Sequence, residues 1–150
     1  VLHQHGVLIV HHVFRPDDSR QVLEVGAMQP LHSTALGKVL SAYDPVAHSE
    51  VMEAERRSFT GRTVTEADAF ESMLDLIRAQ GWAADAEETW EGVAAVAAPV
   101  HDRRRMPVGA VAVTGAVERV APGGTLRPEL IAAVRDCARA VSRDLGAGRF

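Results

Sequence analysis

A single cysteine among 150 residues, Cys137, excludes an intramolecular disulfide, and no CxxC pair is present to build a zinc ribbon or a dithiol redox centre. A chain of this length needs neither, because it can bury roughly 70% of its unfolded surface. Aromatic side chains are scarce at 5%, which leaves aliphatic residues and alanine to fill the core. No apolar run approaches the roughly 18 residues that cross a bilayer, and His3, Gln4 and His5 stand where a targeting signal would carry a basic stretch. Basic charge is also short: 16 Lys and Arg against 20 Asp and Glu leave a net charge of -4, the opposite of a self-sufficient nucleic-acid binder. A reducing, cytoplasmic setting and a chain that does not hold DNA alone are expected. The chain opens on Val1 rather than Met, as a piece of a longer protein would.

What is present, 47% hydrophobic and 24% charged residues, suits one ordinary domain. Val7 to Phe14 is β-branched and aromatic and reads as a strand, with Arg20 to Ala27 as its hairpin partner. Ser33 or Thr34 caps a short helix carrying Leu36, Val39 and Leu40, and Asp44-Pro45 opens a second. Phe70, Met73, Leu74 and Ile77 fall at i, i+3, i+4 and i+7, and Gly81 supplies a left-handed stop. Upstream, Thr65 and Asp68 have capping-box spacing. From Glu91 to Thr114 two Ala- and Val-rich strands flank a basic loop, His101 to Met106, expected to be a solvated turn. After Pro122-Gly123-Gly124 a helical period runs through Leu126, Leu130, Ile131, Val134, Ala138, Val141 and Leu145. Hairpin, helices, strands and helix in that order describe an α+β fold on an antiparallel sheet.

Catalytic signatures are thin. His3 and His5 project from one face of a strand, with His11 and His12 close behind, yet no spacing places a third metal ligand. No serine stands in a GxSxG setting, and Cys137 is expected to pack in the core. LHSTALGK ends in Gly37-Lys38, but His32 occupies the place of the first glycine of a phosphate loop and Val39 that of its Ser or Thr. Asp85, Glu87 and Glu88 could pair as acid and base but have no nucleophile to serve. The more informative pattern is the alternation of the two Ala-rich strands. Val96, Ala98, Val100, Val111 and Val113 share one face; Val93, Ala95, Ala97, Ala110, Ala112 and Thr114 share the other. A face lined by methyl groups leaves space above it for a close-packed helix or a ligand, and Trp82, Asp85 and Trp90 are near enough to supply a wall and a polar handle.

Three stretches in order, Val25 to Ala42, Gln80 to Asp102 and Pro107 to Val120, together resemble the C-terminal effector-binding domain of IclR-type transcriptional regulators. The terminal AVSRDLG fits as well, and the resemblance covers nearly the whole chain, short only of a helical lead-in at the domain's N-terminus. It implies a GAF-like, profilin-like curved antiparallel sheet with helices packed on its faces, no cofactor and no catalysis. It also implies an upstream winged helix-turn-helix domain, absent from this chain, as the part that binds DNA, assembly into homodimers or tetramers, and no membrane association.

Carried over by position, the family's pocket takes backbone N–H groups near Ala35 and Leu36, with Gln29 just before them. Asp85 falls at a polar pocket position, Val93 and Ala95 on the first Ala-rich strand, and Ala112 and Thr114 on the second, with Trp90 nearby. Members that bind small keto acids carry Cys or Ser where this chain has Ala95 and Ala112, which points away from glyoxylate or pyruvate and towards a small aromatic or largely apolar carboxylic acid. The competing expectations are a GAF-like enzyme or metal-dependent catalyst using Asp85, Glu87 and the histidines, or an oligomerisation module with no ligand.

Overall fold

The computed structural model describes residues 1–13 and 24–148. Two antiparallel three-stranded ladders carry the fold. The first runs β1 (Leu2–His3), β2 (Gly6–Leu8) and β3 (Met28–Gln29) in that order. The second runs β4 (Ala83–Ala86), β5 (Val93–His101) and β6 (Pro107–Ala116), with Ala97 opposite Ala112 and Ala95 opposite Thr114. The helices are α1 (Ala35–Tyr43), α2 (Pro45–Glu53), α3 (Ala67–Gln80), α4 (Val117–Val120) and α5 (Pro128–Asp144), with a 3-10 turn at Pro122–Gly124. This is the expected α+β arrangement, although the sheet is divided into two ladders. They approach where a Cβ built on Gly109 would stand 3.3 Å from Val1 Cγ1.

The alternation of β5 and β6 separates two cores. On one face Ala95, Ala97, Ala110 and Ala112 meet Ala35, Leu36 and Val39 of α1, backed by Phe70, Leu74 and Ile77 of α3. On the other, Ala94, Val96, Ala98 and Val100 meet Val134 and Ala138 of α5. Small residues on the first face let α1 approach the sheet closely, since a larger side chain would hold the helix off. Helix α3 buries the i, i+4, i+7 stripe Phe70, Leu74 and Ile77, and Gly81 ends it at φ 83°.

Several expectations are corrected. The strand from Val7 ends at Leu8: Ile9 still exchanges backbone hydrogen bonds with Ala27 and Gly26, but Val10 and Val13 beyond it are exposed. Of its expected partner, residues 20–23 lie outside the described ones, residues 24–27 form no strand, and the pairing falls to Met28–Gln29. His3 and His5 are not on one strand face, because the chain turns between them with Gln4 at φ 51°. The capping box does not form: Glu66 precedes α3 and makes no side-chain cap bond. Cys137 is exposed, since the buried stripe of α5 runs Val134, Ala138, Ser142 and leaves it one position, about 100°, to the side. Arg103, Arg104 and Arg105 are exposed in their turn as expected. Among the described residues no helix is long and apolar enough to cross a membrane.

Candidate ligand site

Helix α1 is buried on nearly every side, and its start defines the site. Thr34 caps it, its Oγ1 accepting from Gly37 N at 3.0 Å and donating to Pro30 O at 2.7 Å. The next two backbone N–H groups, of Ala35 and Leu36, are in the first turn, where no preceding helical carbonyl can reach them, and they carry the positive end of the helix dipole. They open onto a void of about 310 Å³ counted with the solvent at its mouth, of which about 20 Å³ admits the centre of a water molecule. Gln29 of β3 stands on one side; Val93 and Ala95 of β5 and Ala112 and Thr114 of β6 form the floor; Asp85 of β4 and the half-exposed Trp90 complete it. All nine residues singled out in the sequence therefore border one cavity, and Thr34 joins them. Trp82 does not, because alternation along β4 sends Ala83 and Asp85 towards α1 and Trp82 to the α5 side. On the Ala-rich face α1 packs over Ala97 and Ala110, and the cavity lies beside Ala95 and Ala112.

Behind the cavity lies a buried polar network that motif reading missed. Asp85 is 3% exposed; its Oδ1 accepts from Glu88 N at 2.8 Å and its Oδ2 lies 3.1 Å from Thr89 Oγ1, which in turn lies 2.9 Å from Ser33 Oγ. Lys38, 2% exposed, donates to Glu88 Oε2 at 2.5 Å. Thr60 and Thr63 donate their hydroxyl protons to the carbonyls of Glu87 and Glu88, each at 2.6 Å, and so hold the turn that carries Trp90. The one available signal was that α1 has too few polar positions for any exposed face, so a lysine within it had to be buried.

Burial pushes the Asp85 carboxyl up from 3.8 to about 6, against the hydrogen bond from Glu88 N and the field of Lys38, which favour the charged form. Below about pH 4 the folded and unfolded chains both hold this proton and the group is neutral to stability. As pH rises towards 6 the unfolded chain releases it first, so stability falls, by about 3 kcal/mol once the folded carboxyl is also ionised. Asp85→Asn keeps the acceptor for Glu88 N and removes the ionisation. The difference in unfolding free energy between Asp85→Asn and the parent should therefore shift in favour of the variant from pH 4 to pH 7 in urea titrations; a difference independent of pH would refute the raised ionisation.

Among the described residues no group of three or more His, Cys, Asp or Glu side chains could hold a metal ion. His5 and His48 instead face single carboxylates, Glu50 at 2.5 Å and Glu71 at 2.7 Å. Glu87 faces Arg62 at 3.5 Å and bonds Gly92 N rather than forming an acid–base couple with Asp85.

An α+β domain with a cavity at a helix N-terminus, walled by methyl groups and backed by a buried polar network in which Glu88 Oε1 alone lacks a partner, is a small-molecule-binding module. Residues 1–143 match the family described as bacterial transcriptional regulator IclR C-terminal, and the chain belongs to that family. It is 80% identical to the glycerol operon regulatory protein of Streptomyces coelicolor over all 150 residues. The chain spans 59% of the length of that relative. Among solved structures, a Rhodococcus sp. RHA1 transcriptional regulator superposes with a TM-score of 0.87 at 24% identity, over 97% of this chain and 58% of that one. The inducer-binding domain of an Acinetobacter PobR double mutant, in complex with 3-hydroxybenzoic acid, superposes with a TM-score of 0.82 at 26% identity, over 95% of this chain and 84% of that one.

Proposed function

We propose that this chain is the effector-binding domain of a longer, cytoplasmic transcription factor that controls a glycerol operon, and that its effector sits in the cavity at the start of α1. In this reading Gln29, Ala35, Leu36, Asp85, Trp90, Val93, Ala95, Ala112 and Thr114 surround the ligand. The chain acts by binding and not by catalysis, without a cofactor. A winged helix-turn-helix domain N-terminal to it carries the DNA contacts, and homodimers or tetramers pass the ligand's presence to a two-fold operator.

The observation that supports this most is the cavity itself, where the unpaired N–H groups of Ala35 and Leu36 offer a seat for one anionic group. The identity to the glycerol operon regulatory protein of Streptomyces coelicolor favours a glycerol-derived effector, and the N–H seat favours an anionic derivative such as a phosphate ester. A small aromatic or largely apolar carboxylic acid is the second reading, favoured by the methyl floor and by the acid bound to the PobR domain. Thermal unfolding with glycerol, glycerol 3-phosphate and 3-hydroxybenzoate separates them, since a ligand at 100 times its Kd adds about 2.7 kcal/mol of stability.

Ala112→Phe fills the floor of the cavity. It should weaken binding of whichever anion stabilises the parent by about tenfold or more while the variant unfolds cooperatively. Unchanged binding by calorimetry would place the ligand elsewhere. A loss of stability of about 1 to 3 kcal/mol without any ligand effect would mean that the space is packed core.

A further inference from the structure

We infer that Gln29 is a specificity residue that reads a hydroxyl group on the effector, so that the cavity selects a hydroxylated small anion over the same anion without the hydroxyl. This deepens the proposed function and rests on the ligand seat at α1.

Gln29 is 8% exposed and borders the cavity, and its Oε1 is buried without a hydrogen-bond partner. Its backbone is held by the pairing of β3 with β2, opposite Val7, and the residue is more than nine-tenths buried, so water has little access to the oxygen. A buried carbonyl oxygen left unpaired is disfavoured in the empty protein, and a ligand that donates to it removes that penalty on binding. A purely apolar ligand would seal the oxygen off instead. Sites with buried polar groups reject analogues that lack the matching hydroxyl far more strongly than apolar pockets discriminate by size.

The other polar side chains at the cavity are less suited to this role. Both Asp85 oxygens are engaged, by Glu88 N and Thr89, and Thr34 Oγ1 is committed to the helix cap and to Pro30 O. Thr114 also borders the cavity but is only partly buried, so Gln29 supplies the buried acceptor there that has no partner. The chemistry recognised is an anion at the α1 N-terminus with a hydroxyl that points to β3. A polyol phosphate and a hydroxybenzoate both satisfy it.

The test compares ligand pairs that differ by the hydroxyl, glycerol 3-phosphate with propyl phosphate and 3-hydroxybenzoate with benzoate, on the parent and on Gln29→Leu by calorimetry. In the pair that binds, the parent should prefer the hydroxylated member by about tenfold or more, and Gln29→Leu should lose that preference while still binding the other member. Which pair binds identifies the source of the anion. An equal preference in Gln29→Leu, or none in the parent, overturns the role of Gln29 and leaves the ligand seat standing. If no member of either pair binds the parent, the ligand seat and the role of Gln29 both fall. Thermal unfolding of Gln29→Leu without ligand supplies the control, because replacing an unpaired buried carboxamide should not lower stability; a large loss would assign Gln29 a structural role and refute the inference.

Discussion

Gly37→Ala should destabilise the chain by about 3 kcal/mol, a single methyl group's effect at the upper end of what overpacking costs. A Cβ at this position would stand 2.4 Å from Pro30 O, 2.5 Å from Leu31 Cα and 2.6 Å from Leu31 O. All three are backbone atoms, so no rotamer change can relieve the contact, and α1 would have to move off the segment that leads into it. Alanine's higher helix propensity returns at most about 1 kcal/mol, which the clash outweighs. The same shift would displace the Ala35 and Leu36 N–H groups, so ligand affinity should fall along with stability. Gly61→Ala, where a Cβ meets nothing within 4 Å, serves as the comparison and should lie within about 0.5 kcal/mol of the parent. Urea unfolding that puts both variants within that range would show that α1 does not depend on this close approach.

Lys38→Met is the other change with a large expected effect. Methionine keeps most of the stem's volume but leaves Glu88, whose side chain is only 12% exposed, without the cation 2.5 Å away. Removing one partner of a buried pair costs about 3 to 5 kcal/mol, because the remaining charge stays desolvated and uncompensated. Glu88 also lies in the turn that bonds Asp85 and carries Trp90, so the loss should loosen the mouth of the cavity as well as the core. Lys38→Met combined with Glu88→Gln should recover a large part of the stability, since a neutral amide tolerates the site better than an unpaired carboxylate. If the second substitution returns nothing, the two side chains are not energetically coupled and the destabilisation belongs to packing around the lysine stem.

The parts of this protein legible in its sequence are those governed by local periodicity. The i, i+3, i+4, i+7 spacing of Phe70, Met73, Leu74 and Ile77 predicts α3, and Gly81 its end, because both depend on helix geometry alone. The two faces of β5 and β6 follow from a side-chain period of two, which puts Ala95, Ala97, Ala110 and Ala112 on one side of the sheet. Resemblance then supplied the opposite wall at Gln29, Ala35 and Leu36, which no local pattern connects to those strands. The end of β2 and the exposure of Cys137 differ from what local pattern predicts, since each depends on whether another element covers the residue. Only the tertiary structure decided the polar network behind the cavity. Lys38 meets Glu88 across 50 residues and Ser33 meets Thr89 across 56. Charges and hydroxyls carry no period, and their partners are set by which face of α1 docks on the turn after β4.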